Sequence, residues 1–217
     1  LIVSSVAVAS HFIKESKERK ILASARSEWS LTEEKNEASG TLNSFDALRT
    51  QNSDTMGWLT IGGTKIDNPV YLTNNNDFYI NHNMLKQESR YGALFFDCTN
   101  KIAKTSVSHN LTIYGHNMKD GSMFGTLQNY RKLDFYKANP TFSLTTLFGK
   151  NEYRVFSVMV MNASSKDDNG YIYNFITSDF PDQTAFLKLL DEVKKRSIIN
   201  TSVGIIENDE ILTLLTC

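Results

Sequence analysis

The sequence predicts a mainly β domain, either a barrel or a sandwich, with helices added at its N-terminal end. Along most of the 217 residues, seven or eight short apolar segments of strand length alternate with turn residues. Aromatic residues make up 11% of the chain, a content that suits packing against pleated sheets. Only one long segment of this region has helical periodicity, so the strands must dominate its core.

The N-terminal end differs in composition from the rest of the chain. Residues 1–10 are apolar and uncharged, and a run of charges begins at Lys14. Because such a switch is typical of a membrane boundary, we interpret residues 1–10 as the remnant of an N-terminal membrane anchor, although a full span needs about 20 residues. The alternative is that these residues are the apolar end of an N-terminal helix. Residues 11–52, broken near Gly40, predict one or two amphipathic helices, and residues 53–217 are expected to form the β domain.

Turn residues divide the β domain into its predicted elements. Strands are predicted at residues 57–61, 64–72, 92–97, 111–114, 141–148, 152–161, 202–206 and 211–216. Short helices are predicted at 122–129 and 133–138, the second ending before an Asn-Pro pair. The clearest helix is 182–196, where apolar residues lie 0, 3, 4 and 7 positions from Phe186 and cations occupy the last turn.

Charge and cysteine content exclude several classes of protein. The formal net charge of -1 argues against a strongly electrostatic nucleic-acid binder, so no nucleic-acid partner is expected. The two cysteines, Cys98 and Cys217, cannot form a disulfide scaffold. Because no Cys/His cluster has zinc-ligand spacing, we predict no metal and no cofactor.

Cys217 and His116 are the residues best suited to chemistry. Cys217 ends the last apolar strand, where a thiol can be exposed and reactive. His116 follows the predicted strand 111–114, next to Gly115, which permits close backbone approach. A histidine and a cysteine at two strand ends can meet at the rim of a barrel, since catalytic groups are brought together in space. From the residues alone, Cys–His catalysis is one possibility beside a purely structural role.

Three ordered motifs resemble the sortase family. Residues 213–217 (TLLTC) resemble the TLxTC signature of sortases. Residues 114–130 (YGHNMKDGSMFGTLQNY) are similar to the segment that carries the sortase histidine in class B. Residues 54–70 are similar to the opening of the class B domain. The resemblance extends from about residue 52 to residue 217.

The resemblance implies a fold, a location and an activity. Sortases are membrane-anchored, extracellular cysteine transpeptidases of Gram-positive bacteria, and their domain is an eight-stranded β-barrel with N-terminal helices in class B. The family cleaves a sorting signal between Thr and Gly through a thioacyl enzyme, then transfers the protein to an amine of a cell wall precursor or a pilin lysine. By position, Cys217 is the nucleophile and His116 the acid that protonates the leaving amine. A single-pass N-terminal anchor in the cell membrane would follow.

Five further residues are candidates for substrate binding under this resemblance. Tyr171 and Tyr173 match the region that covers the substrate groove, with simple aromatic packing as the alternative. Asn81, Leu215 and Thr216 complete the set. Leu215 stands where class B members often have Ser, which removes a hydroxyl beside the nucleophile.

The catalytic Arg of the family, on the strand after the cysteine, is absent from these 217 residues. We therefore expect the barrel to lack its last strand here, and the natural protein to continue beyond Cys217. Two alternatives remain for function. One is a cysteine peptidase that hydrolyses its thioacyl intermediate, and the other is a non-catalytic surface or pilus-associated binding module on a sortase-like barrel.

Overall fold

The computed structural model describes residues 14–30, 45–161, 176–206 and 209–216. The predicted site residues Tyr171, Tyr173 and Cys217 lie outside the described residues, as do residues 1–10. The elements are, in chain order, helix α1 (residues 14–30), α2 (Asp46–Gln51), β1 (Thr55–Thr60), β2 (Asp67–Tyr71), a 3-10 helix (Phe78–Ile80), β3 (Leu94–Phe96), β4 (Ile102–Ala103), β5 (Ser106–Val107), β6 (Asn110–Tyr114), a second 3-10 helix (Gly125–Arg131), α3 (Leu133–Ala138), β7 (Thr141–Thr146), β8 (Gly149–Arg154), α4 (Gln183–Lys195) and β9 (Ile211–Leu215).

Seven of these strands form one sheet in the order β8-β7-β1-β2-β3-β6-β9. Most neighbours are antiparallel, as in the β1–β2 hairpin that pairs Trp58 with Pro69. Two pairs are parallel, β2 with β3 and β6 with β9. Strands β4 and β5 form a separate small hairpin. The parallel β6–β9 pair joins segments that lie about 100 residues apart in the chain, so long connections must carry the chain back to the same edge.

All seven strands contribute to a single hydrophobic cluster, so the sheet curves around it as a nearly closed barrel. Each strand supplies at least one residue that belongs to this cluster or packs against it: Leu59, Val70, Phe96, Ile113, Leu144, Tyr153 and Leu214. In a flat sheet of this width, the two edge strands could not reach the same cluster. The predicted mainly β barrel with added helices is thus confirmed.

The N-terminal helices cover the outer face of this barrel. Because side chains alternate along a strand, Trp58 points away from its neighbour Leu59 and joins a second cluster on the outside. Trp29 of α1 stacks on Trp58, with ring centroids 4.8 Å apart and planes 6° from parallel. Both indoles are buried. The burial of this large aromatic surface makes α1 part of the folded domain.

Helix α4 forms as its periodicity predicts. The side chain of Asp182 caps it by accepting a hydrogen bond from the backbone N–H of Ala185 at 2.8 Å. The apolar face is buried, from Phe186 to Val193. Lys194 and Lys195 occupy the last turn, where the helix dipole favours cations.

Three predicted elements differ from the structure. Residues 202–206 were predicted as a strand, but they have no strand partner in the described sheet, and Ile206 is 65% exposed. The strand predicted at 152–161 ends at Arg154, and the helix predicted at 122–129 is the 3-10 helix Gly125–Arg131. Strand-like composition is insufficient without a neighbouring strand to supply hydrogen bonds.

The predicted single-pass anchor, and with it the predicted localisation, is wrong for the part of the chain that the structure describes. Across residues 14–30, 45–161, 176–206 and 209–216, no helix is both long enough and apolar enough to cross a membrane. Helix α1 illustrates the reason, because it carries several charges, which are costly to bury in hydrocarbon.

Candidate active site

The parallel pairing of β6 with β9 places the strand end before His116 beside the strand end at Leu215. Tyr114 and Leu215 are register partners. The backbone N–H of Gly115 donates to the Leu215 carbonyl at 3.1 Å, which extends the pairing by one step. His116 and Thr216 therefore follow two adjacent strand ends. Cys217 comes directly after Thr216 in the sequence and lies outside the described residues.

Gly115 permits the end of β6 to lie close over the core. A Cβ at this position would overlap the Leu94 side chain and would lie 2.8 Å from the Phe124 ring. Both neighbours are buried in the barrel cluster, so neither can move freely. The glycine beside His116 is thus required by close packing on the inner side of the strand.

The loop after His116 folds back onto the histidine backbone. The His116 carbonyl accepts hydrogen bonds from the N–H groups of Met118 at 3.1 Å and Phe124 at 2.9 Å. Asp120 closes the turn by accepting from the hydroxyl of Ser122 at 2.6 Å and its N–H at 3.0 Å. Burial alone would raise the pKa of Asp120, but the hydrogen bonds from Ser122 and Tyr91 and the nearby Arg19 cation together outweigh it and hold that pKa below its ordinary value.

Helix α1 contacts this loop and the segment that precedes β3. Arg19 of α1 lies 3.9 Å from the Asp120 carboxylate. Glu15 accepts hydrogen bonds from the Tyr91 hydroxyl at 3.1 Å and from Arg90 at 3.0 Å. The arginine of each ion pair is more than half exposed, so each pair is individually weak, but together the contacts align α1 with the loop after His116.

The His116 ring is held by a main-chain carbonyl. Its Nε2 lies 2.7 Å from the carbonyl oxygen of Ile80, the last residue of the first 3-10 helix. A carbonyl can only accept, so the ring donates its Nε2–H in this hydrogen bond. Asn81 comes next in the chain, is exposed, and its own carbonyl accepts from the N–H of Ser89 at 2.8 Å. The structure thus brings Asn81 to the His116 side of the barrel.

The two other predicted substrate contacts that are described lie on and beyond β9. Leu215 is partly buried and paired with Tyr114. The hydroxyl oxygen of Thr216 is buried and has no hydrogen-bond partner among the described residues. Both lie beside the strand end that leads to His116.

A buried carboxylate near this site was not predicted from the sequence. Asp97, which follows β3, is 3% exposed. It accepts hydrogen bonds from the Tyr114 hydroxyl at 2.7 Å, from Asn76 at 2.9 Å, and from the hydroxyl and N–H of Thr99 at 2.6 and 2.8 Å. Burial alone would raise the pKa of Asp97, but these donors outweigh it and lower the pKa. An Asp with a hydroxyl residue two positions later, after a buried strand, is the sequence signal for such a turn.

Replacing Asp97 with Asn should reduce the free energy of unfolding at pH 7 by about 2–3 kcal/mol, because charge-assisted hydrogen bonds are lost. The folded-state pKa is below the unfolded one, so the carboxylate stabilises the fold above the unfolded pKa of about 3.9, and this contribution is lost as pH falls through the folded pKa. Urea unfolding at neutral and acidic pH measures the difference, which should shrink on acidification. The control is Asp77→Asn, since Asp77 is exposed and caps no N–H with its side chain. An equal effect of both substitutions would contradict the prediction.

Within the residues that the structure describes, no three His, Cys, Asp or Glu side chains are grouped so as to hold a metal ion. The arrangement around His116 consists of an imidazole, main-chain groups and hydroxyls. Such groups are suited to proton transfer and hydrogen bonding with a polypeptide substrate.

Comparison with known proteins agrees with this fold and these motifs. The family model described as the sortase domain matches residues 59–217, most of the chain. The chain belongs to the sortase family. Sortase B of Listeria monocytogenes is 37% identical over 170 residues, which cover 78% of this chain and 65% of the relative. Sortase B of Staphylococcus aureus is 32% identical over 173 residues, which cover 80% of this chain and 67% of the relative.

A solved structure extends the similarity to the fold. The Staphylococcus aureus sortase B–substrate complex is similar with a TM-score of 0.86 and 28% identity, over 94% of this chain and 90% of that one. The predicted resemblance to class B sortases, a family of cysteine transpeptidases, is confirmed. Because the chain spans only about two thirds of the curated relatives, the activity of the whole sortase, the roles of individual residues, and any part in pilus assembly or hydrolysis remain predictions.

Proposed function

We propose that this sortase domain is a class B cysteine transpeptidase, which cleaves a sorting signal between Thr and Gly and transfers the protein to an amine. The observation that carries the proposal is the register of β6 and β9. Tyr114 pairs with Leu215, and the N–H of Gly115 donates to the Leu215 carbonyl. A register that continued by two residues would bring Cys217 opposite His116, which is the pairing that Cys–His chemistry needs.

The proposed reaction has two balanced steps. The Cys217 thiol gives its proton to His116, and the thiolate attacks the carbonyl carbon of the signal Thr. The Thr–Gly C–N bond then breaks, and His116 returns the proton to the leaving amine, which leaves a thioacyl enzyme. An acceptor amine attacks the thioester carbonyl and loses a proton to His116, and the Cys217 thiolate departs. The acceptor is an amine of a cell wall precursor or of a pilin lysine.

The proposed substrate contacts lie around the two strand ends. Asn81 is exposed beside the carbonyl that binds His116. Leu215 and Thr216 lead to the nucleophile, and we assign Tyr171 and Tyr173 to the cover of the groove. The similar Staphylococcus aureus sortase B was solved in complex with a substrate, which supports a substrate-binding role for this fold. The partners proposed are therefore secreted proteins that bear a sorting signal.

Mass spectrometry can test this function on protein expressed from the complete reading frame. We would incubate it with LPxTG-like and NPxTG-like peptides, with and without triglycine as an amine acceptor. The expected result is a covalent adduct of the N-terminal peptide fragment, which triglycine converts into a new peptide product. Hydrolysis alone, unchanged by triglycine, would favour a peptidase, and binding without cleavage would favour a binding module. Either result would contradict transpeptidation.

A further inference from the structure

Gly92 packs against the segment that binds the His116 ring, and its own backbone is unusual. Gly92 has φ +56°, in the left-handed region that residues with a Cβ rarely adopt. A Cβ on Gly92 would lie 2.5 Å from the Tyr79 carbonyl oxygen and 2.6 Å from the Ile80 carbonyl oxygen. Real side chains do not approach main-chain oxygens so closely. The second of these oxygens is the one that accepts from His116.

Hydrogen bonds fix the direction of the Ile80 carbonyl from both sides. The Tyr79 carbonyl accepts from the N–H of Ala93 at 2.9 Å, directly after Gly92. The Asn81 carbonyl accepts from the N–H of Ser89 at 2.8 Å. With both neighbouring peptide groups held in this way, the carbonyl between them is left to meet the imidazole at 2.7 Å.

We infer that Gly92 is a positioning residue for His116. Without a side chain, it lets the Ile80 carbonyl lie where it accepts the Nε2–H of the ring, and this hydrogen bond selects the Nε2–H tautomer. Nδ1 is then the nitrogen that takes the proton from the nucleophile and returns it to the leaving amine. Nε2–H stays hydrogen-bonded to the Ile80 carbonyl throughout, so the proton transfers of the two proposed steps are unchanged. The inference rests on the proposed acid role of His116.

The first test needs no variant. Nitrogen chemical shifts of ¹⁵N-histidine-labelled protein, recorded where an ordinary imidazole is neutral, distinguish the two tautomers. His116→Gln identifies its signals. We expect His116 to be mainly the Nε2–H tautomer, with a scalar coupling between Nε2 and the ¹³C-labelled carbonyl of Ile80. A predominant Nδ1–H tautomer would overturn the inference, even if Gly92 variants fail to fold.

The second test compares two glycines with left-handed backbones. Gly92→Ala should lower kcat by about tenfold to a hundredfold with little change in KM, the effect of displacing a catalytic group by about 1 Å, and should raise the Nδ1–H population. Gly63→Ala is the control, because Gly63 has φ +70° but lies in the turn between β1 and β2, where the nearest atoms to an added Cβ belong to the Asn139 side chain. It should alter neither kcat nor the tautomer. Equal effects of both variants, or an unchanged tautomer in folded Gly92→Ala, would overturn the inference.

The two arms separate this inference from the proposed function. A wild-type protein that shows the Nε2–H tautomer but no peptide transfer would contradict the function and leave the ring orientation established. A protein that transfers peptides but shows the Nδ1–H tautomer would support the proposed function and contradict the inference about Gly92.

Discussion

Cys217→Ala should abolish the thioacyl adduct and lower peptide transfer by a factor of about 10⁴ or more, as the loss of a covalent nucleophile does in other enzymes. Alanine has no lone pair with which to attack the Thr carbonyl, and water would have to act in place of the thiolate. Substrate binding should persist, because the proposed peptide contacts involve other residues. Mass spectrometry and a peptide-binding titration on the same protein would separate loss of chemistry from loss of affinity.

The second cysteine provides a matched control for this substitution. Cys98 is a free, partly buried thiol after β3, and its N–H donates to Asn76 at 2.8 Å. Since that hydrogen bond involves the main chain, Cys98→Ala should leave it intact and retain activity. An adduct of wild-type size in Cys217→Ala, or loss of the adduct in Cys98→Ala instead, would contradict the assignment of the nucleophile.

His116→Ala should lower kcat by about 10²- to 10⁴-fold, the usual contribution of a positioned general acid and base. The departing amine of a peptide is a poor leaving group unless it is protonated, and this variant removes the proposed proton donor. The loss should therefore depend on the substrate. In a thioester analogue of the signal, the leaving group is a thiolate that departs without a proton. At high pH, where the nucleophile is already ionised, His116→Ala should therefore slow cleavage of this analogue much less than cleavage of the peptide.

His82→Ala controls for the removal of an imidazole from the same region. His82 stacks on Phe78 with ring centroids 4.1 Å apart, and its Nδ1 lies 2.8 Å from the Phe78 carbonyl. It has a similar main-chain contact but no proposed role in proton transfer, so activity should remain near that of the wild type. If His116→Ala lowered the rate by the same factor on peptide and thioester substrates, another group would have to supply the proton.

The elements predicted correctly are those whose signals are local. Helix α4 combines apolar spacing with a capping Asp182, and both act within a few residues of each other. The helix predicted at 133–138 is observed at Leu133–Ala138, ahead of Pro140. The motifs around His116 and residues 213–217 likewise identified the family, because they are contiguous. Residues 202–206 show the limit of local signals, since strand composition did not provide a strand partner.

The sequence by itself therefore determined the mainly β class, the principal helix, the family and the two residues proposed for catalysis. Only the tertiary structure decided that β6 and β9 run parallel in register, that Asp97 holds Tyr114, and that the Ile80 carbonyl meets His116 across 36 positions of the chain. The physical reason is that periodicity and capping depend on interactions between residues that are close together in the sequence. Pairings between distant residues depend instead on which strands become neighbours, and that choice is made by the packing of the whole barrel core.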